Sequence, residues 1–157
     1  MAILAGQIVT ADQLNHLQPA VYYAQAGSGT SITTTSFTPI VGCSITLDTD
    51  TAARFSVQAN FSWDINVWVT TIPWPYTRGA LFLDGVQQSG ESRWSEGTTG
   101  GDTGDYSMAG KAWGGTLSAA GTHTFDLRGA WNDLSGESPD LISTGFTAIT
   151  VTIYEIV

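Results

Sequence analysis

Residues 53–65 read ARFSVQANFSWDI. Ala53, Phe55, Val57, Ala59, Phe61, Trp63 and Ile65 fall on every second position, with Arg54, Ser56, Gln58, Asn60, Ser62 and Asp64 between them. A helix gathers every third or fourth residue on one face, whereas an extended chain sorts alternate residues. A period of two held this long therefore specifies a half-buried strand, apolar inside and wet outside. Working outward, residues 67–71 continue the strand or restart it, and Pro73-Trp74-Pro75 breaks it. Upstream, Val41, Cys43, Ile45 and Leu47 alternate with Gly42, Ser44 and Thr46, and the Thr-rich residues 31–37 suit an edge strand. Downstream, ALFLDGVQ (80–87) sets Asp-Gly between apolar residues, the strongest short hairpin signal.

Beyond that hairpin, residues 106–113 form a strand candidate, and Gly114-Gly115 turns the chain into a short segment over 116–119. Residues 122–131 put His123, Phe125 and Leu127 on one face, and residues 146–157 do the same with Ile149, Val151 and Ile153. Residues 88–105 (QSGESRWSEGTTGGDTGD) and 132–143 (NDLSGESPDLIS) have no periodicity and read as loops. About eight strands separated by turn signals specify an all-β protein, an antiparallel β-sandwich or jelly roll.

The first residues differ from this body. Thr10-Ala11-Asp12-Gln13 has the form of a capping box, and Val9 and Leu14 have the spacing of a hydrophobic staple. They predict a helix over about 11–18, stopped by Pro19. Leu14 and Leu17 give it one small apolar stripe. So short a helix is unstable alone and must dock on its own domain, a second copy or another protein. The predicted organisation is an N-terminal arm over 1–29, with the helix and then a linker or first strand over 22–29, followed by a β-sandwich domain over 30–157.

Composition narrows the function. The chain has 157 residues, five Lys+Arg against fourteen Asp+Glu, and a net charge of −9. That length fits one domain that needs no disulfide or metal to hold its core. Five cations cannot build a phosphate-binding face, so nucleic acid is excluded as a partner, and so is an anionic membrane surface. No apolar run is long enough to span a membrane, and the first residues lack the charged and apolar regions of a secretory signal. Cys43 is the single cysteine, which excludes an internal disulfide and points to folding in a reducing cytoplasm.

The catalytic inventory is poor. His16 and His123 are the only histidines, and a structural or solvent-facing role accounts for each. There is no nucleophile elbow, zinc-binding helix motif, P-loop or dinucleotide fingerprint. Asp102 and Asp105 in GGDTGD lack the spacing of a calcium loop. No cofactor or metal is expected, and the chain reads as a non-enzyme. Its aromatic placement is more informative. Trp63 and Trp131 fall on core positions, while Trp68 and Trp113 fall opposite the main apolar sets and suit an interface. Trp74, Tyr76 and Trp94 sit in polar segments beside Arg93, where they either cover the ends of the core or meet a sugar or protein.

The opening AGQIVTADQLNHLQP resembles the start of small structural proteins of tailed bacteriophages, especially those of actinobacteria. LFLDGV and LSAAGTHTFDLRGAW resemble hairpin and late-strand motifs of phage tail and fibre domains with a trimeric jelly roll, a fold similar to that of complement and tumour-necrosis-factor proteins. The resemblance covers about a third of the chain and omits residues 88–105 and Pro73-Trp74-Pro75. It implies a virion component, assembled in the host cytoplasm, that forms homotrimers. Ile8, Val9, Leu14 and Leu17 would attach the arm to other virion proteins, and Trp74, Tyr76, Arg93 and Trp94 would contact the host surface, including its glycans. A capsid decoration protein is the alternative. A carbohydrate-active enzyme on the same fold is a third reading, and requires two carboxylates converging in one cleft.

Overall fold

The computed structural model describes residues 18–66, 76–95, 105–131, 140–143 and 146–155. The alternating stretch is a strand, β4 (Ala53–Asn66), and the sandwich is built around it. Ala53, Phe55, Val57, Ala59, Phe61 and Trp63 are all buried. Before it come β1 (Ala20–Gln25), β2 (Thr30–Ile32) and β3 (Thr38–Thr49). After it come β5 (Tyr76–Leu83), β6 (Val86–Gln87), β7 (Ser92–Ser95), β8 (Asp105–Leu117), β9 (Gly121–Trp131), β10 (Asp140–Ser143) and β11 (Ala148–Glu155).

All strand pairs are antiparallel, and they form two sheets. In sheet A, β8 pairs one edge of β4, while β11 and β10 share its other edge; β1 then flanks β11, and β2 flanks β10. Sheet B runs β3-β9-β5, and β6 and β7 share the last edge. With the short β2, β6 and β10 set aside, the pairing is nested: β1 with β11, β3 with β9, β4 with β8 and β5 with β7. The inner faces meet over Phe55, Phe61, Trp63, Trp113, Leu81, Phe125, Leu127, Trp131 and Val151, a core with no charged member. Phe61 stacks on Trp63 at 5.6 Å, and Phe55 meets Phe125 edge-on at 5.2 Å.

Asp84 and Gly85 have φ of 52° and 79°, the left-handed pair that a tight two-residue hairpin requires. The predicted inward faces of residues 122–131 and 146–157 also hold, with Phe125, Leu127, Ile149, Val151 and Ile153 buried.

Several expectations are corrected. The predicted turn at Gly114-Gly115 is uninterrupted strand, because β8 runs through it. A Cβ on Gly115 would lie 2.6 Å from the Phe55 ring, so this glycine makes room for a core aromatic. Val41 does not share a face with Cys43: a register shift lies between Pro39 and Ser44, Gly42 has φ of 88°, and Val41 points outward while Ile40 and Cys43 are buried. Trp113 is buried in the core and is not an outward interface residue. Parts of the two predicted loops are strands, β7 and β10. Of the expected edge strand at 31–37, only residues 31–32 are strand, within β2. Of the two readings of the segment that begins at Tyr22, linker or first strand, the strand holds over residues 20–25, which join sheet A as β1. The predicted helix lies outside the described residues, apart from Gln18 at its end.

Candidate functional site

The strand registers give the sandwich two unlike ends. At one end the chain turns tightly between β3 and β4, β5 and β6, and β8 and β9. Here Ala53 pairs with Glu155 and Leu117, Thr49 with Gly121, and Ala20 with Ile153. Gln18 therefore enters at this near end, and β11 finishes there. At the far end Ile65 pairs with Asp105, Tyr76 with Ser95, and Thr77 with Trp131. Residues 67–75, 96–104 and 132–139 connect strands at that far end and lie outside the described residues. The fourteen residues of β4 separate the ends by roughly 45 Å, at about 3.3 Å per residue.

Two of the four predicted surface-contact residues meet beside the far end. Arg93 is exposed, and its guanidinium lies 5.3 Å from the centre of the Tyr76 ring. Trp94 is only half-buried, but its side chain packs against the core. Its Nε1 is buried without a hydrogen-bond partner, as is Oγ1 of Thr77, the residue directly opposite. Trp94 therefore takes the core-covering role that the sequence left open. Trp74, Ile8, Val9, Leu14, Leu17, His16 and Trp68 lie outside the described residues.

Sequence reading missed the residue that organises this region, Glu91. It accepts two hydrogen bonds from Arg78, at 2.7 and 3.0 Å, one from Gln87 at 3.2 Å and one from Arg93 at 3.3 Å. The Arg78 bonds, outweighing burial, hold its carboxyl down at about 2. Arg78 also sits 4.7 Å over Phe37, which meets Phe82 edge-on, and Arg128 covers Phe82 at 4.0 Å while bonding Asp126 at 2.6 Å. The registers place Arg78, Phe82, Arg93, Asp126 and Arg128 on the outer face of sheet B. Scarcity was the available signal: three of the five cations stand outward on the strands of this one sheet, and each must find an acid or a ring.

At the near end, the turn residue Asp84 accepts the Thr124 amide at 2.7 Å and lies 2.9 Å from His123 Nδ1. Burial pushes the Asp84 carboxyl up, but the His123 ring and the Thr124 amide together hold it below its usual value. The bond to Asp84 raises His123. His123 is thus a pinned structural imidazole. Cys43 donates to the Thr147 carbonyl at 3.2 Å, and burial pushes its thiol to about 11, which makes it a poor nucleophile. Among the described residues, no three His, Cys, Asp or Glu side chains converge on a metal position.

No family model matches the chain, and no curated protein matches it. Solved structures do. A chain of the T13 particle of infectious bursal disease virus matches with a TM-score of 0.51 at 14% identity, over 87% of this chain and 31% of the viral one. A chain from the Gt strain of that virus gives 0.49 at 15% identity, over 98% and 36%. Dimeric latent PorU from Porphyromonas gingivalis gives 0.47 at 9% identity, over 87% and 13%. The chain thus spans about a third of the length of the viral chains it matches. At these identities the likeness is one of fold alone, and of these three only the T13 match exceeds a TM-score of 0.5.

Proposed function

We propose that the chain is a non-catalytic jelly-roll protein of a bacteriophage virion, of the minor tail or fibre type. The nested pairing of first strand with last, and so inward, is the connectivity of a jelly roll. The observation that carries the reading is the polarity of the sandwich. Gln18 enters at the near end, and the three long connections leave from the far end. On this reading an arm bearing Ile8, Val9, Leu14 and Leu17 holds the particle, and the connections, which contain Trp74 and are flanked by Tyr76 and Arg93, meet the host surface. The motif resemblance to phage structural proteins and the fold shared with a chain of a viral particle support the same reading. In it, copies assemble as homotrimers, and host glycans are the ligand class for the far end.

Electron cryomicroscopy of purified particles carrying an epitope inserted at Gly85 tests this reading. Epitope density at the tail tip or fibre is the expected result. Density on the capsid lattice selects the decoration protein, and particles that lack the chain overturn both. Binding of the trimer to host-envelope glycans, lost in Trp74→Ala, is expected on the attachment reading; unchanged binding in that variant removes Trp74 from the contact.

A further inference from the structure

The outer face of sheet A differs from the rest of the surface. Among the described side chains its strands carry one charge there, Arg54, although the chain as a whole carries −9. Two acids, Asp64 and Asp140, stand in its outward rows toward the far end, Asp64 opposite Tyr106 and Ile142 and Asp140 opposite Asn66. The acids with described side chains lie elsewhere. Asp48 and Asp126 occupy outward rows of sheet B, and Asp50 and Asp84 occupy near-end turns. Glu91 is held by Arg78, and Glu155 pairs with the inward residue Ala53. Four of the eight large apolar or aromatic side chains left exposed are on this face: Val21, Tyr23, Met108 and Tyr154.

Relief across the face is uneven in a useful way. On the β1 edge, Val21 and Tyr23 stand out, each 63% exposed. On the β8 edge, in the same cross-strand rows, the outward residues are Gly114 and Ala112, with Gly110 one row on. A glycine inside a strand weakens it and commonly marks the close approach of another group. Gly79, Gly115 and Gly129 have such a reason inside the molecule, since a Cβ at each would strike a core side chain. Gly110 and Gly114 have none. A Cβ on Gly110 would come no nearer than 3.8 Å to the Ala59 carbonyl, and one on Gly114 no nearer than 3.5 Å to that of Phe55.

We infer that the outer face of sheet A is an interface between copies of this chain, with Val21 and Tyr23 of one copy seated over Gly110, Ala112 and Gly114 of the other. Electrostatics selects this occupant. Two bodies that each carry −9 repel, and they approach most easily through the near-end rows of this face, from Arg54 to Ser62, where no acid stands. Shape agrees, because the projecting edge and the bare edge lie on opposite sides of one sheet. Such an interface is isologous: a two-fold axis along the strands lays each copy's β1 edge over the other's β8 edge. Four strands by about ten residues measure roughly 14 by 33 Å in plan. That is the same order as the ~800 Å² per partner of a specific interface. The inference rests on the virion reading for its need of assembled copies, and it specifies one face through which they pair.

The test is the mass of the full chain in solution over a concentration series, for the wild type and three variants. The expected wild type is a multimer. Ala112→Glu and Tyr23→Glu each place a charge in the contact and are expected to weaken association at least ~100-fold, with unchanged melting of the separated chain. Val86→Glu, on an exposed position of sheet B, should leave the multimer intact. Combining Ala112→Glu with Tyr23→Lys is expected to restore association, which a merely misfolded single variant would not allow. A wild type that is a single copy at every concentration overturns the inference. So does a multimer broken by Val86→Glu but not by Ala112→Glu. In both cases particle microscopy still decides the virion reading separately.

Discussion

The two outer faces of the sandwich are built from the same alternation of inward and outward residues, yet they solve opposite problems. Sheet B places Arg78, Arg93 and Arg128 outward and satisfies them with its own groups: Glu91, Asp126 and the rings of Phe37, Tyr76 and Phe82. It also draws the β2–β3 connection down onto itself, because Trp131 donates from Nε1 to Ile32 and from its backbone to Thr34. Sheet A presents hydroxyls, amides, glycines and a few large apolar groups outward, with Arg54 the one charge among its described side chains. One face is completed within the chain, and the other is suited to a neighbour. Outward positions, which do not affect the fold, are therefore where the two sheets acquire different roles.

The comparison can be challenged at several depths. The deepest is the shared core. Trp63→Ala removes a fully buried side chain that stacks on Phe61, and should cost about 3–5 kcal/mol, measured by denaturant unfolding. A smaller loss would mean that the sheets are less tightly joined than both faces require. Next comes the closed face. Glu91→Gln keeps the shape but removes the charge that holds Arg78, so a loss of about 1–2 kcal/mol is expected at neutral pH. The same group fixes the acid limb. Its carboxyl lies at about 2 when folded against an ordinary 4.5, so its contribution is present above 4.5 and drains away as pH falls toward 2. The wild type should lose stability over that window more steeply than Glu91→Gln.

The near-end lock has a weaker and opposite signature. His123 is raised in the folded chain, so its contribution is complete below its ordinary 6.5 and fades as pH rises through the folded value. His123→Asn should flatten stability across that range, and a profile identical to wild type would remove the Asp84 contact from the account. The smallest effect belongs to the open face. Gly114→Ala should leave the separated chain unchanged or raise its stability by about 0.5 kcal/mol, because its Cβ has room. The same substitution should weaken association, and this opposition of sign is what distinguishes an interface glycine from a packing glycine.

Much of this fold was legible because strand periodicity is a strong signal wherever one face is buried. Residues 53–63 and 122–131 and the Asp84-Gly85 hairpin follow directly from their patterns. The misreadings share one physical cause, that a residue type can serve two purposes. Glycine means a turn, or room for a ring, or an approach surface, and only the neighbours of Gly115 show which. Tryptophan on a mixed face reads as outward, yet the β8 row of Ala109, Lys111, Trp113, Gly115 and Leu117 is the inward one, set by its pairing with β4. Polar edge strands such as β7 carry little periodicity, because sheet pairing and not burial holds them. The candidate site was legible only in part. Tyr76 and Arg93 do meet, whereas Trp94 turns to the core and Glu91, at their centre, carries no motif.

The most direct measurement is hydroxyl-radical footprinting of the full chain, diluted from high to low concentration. Tyr23 and Met108 should gain labelling as copies separate, while Val86, equally exposed on sheet B, stays constant. Equal labelling of all three at every concentration would contradict the account, because sheet A would then meet only water.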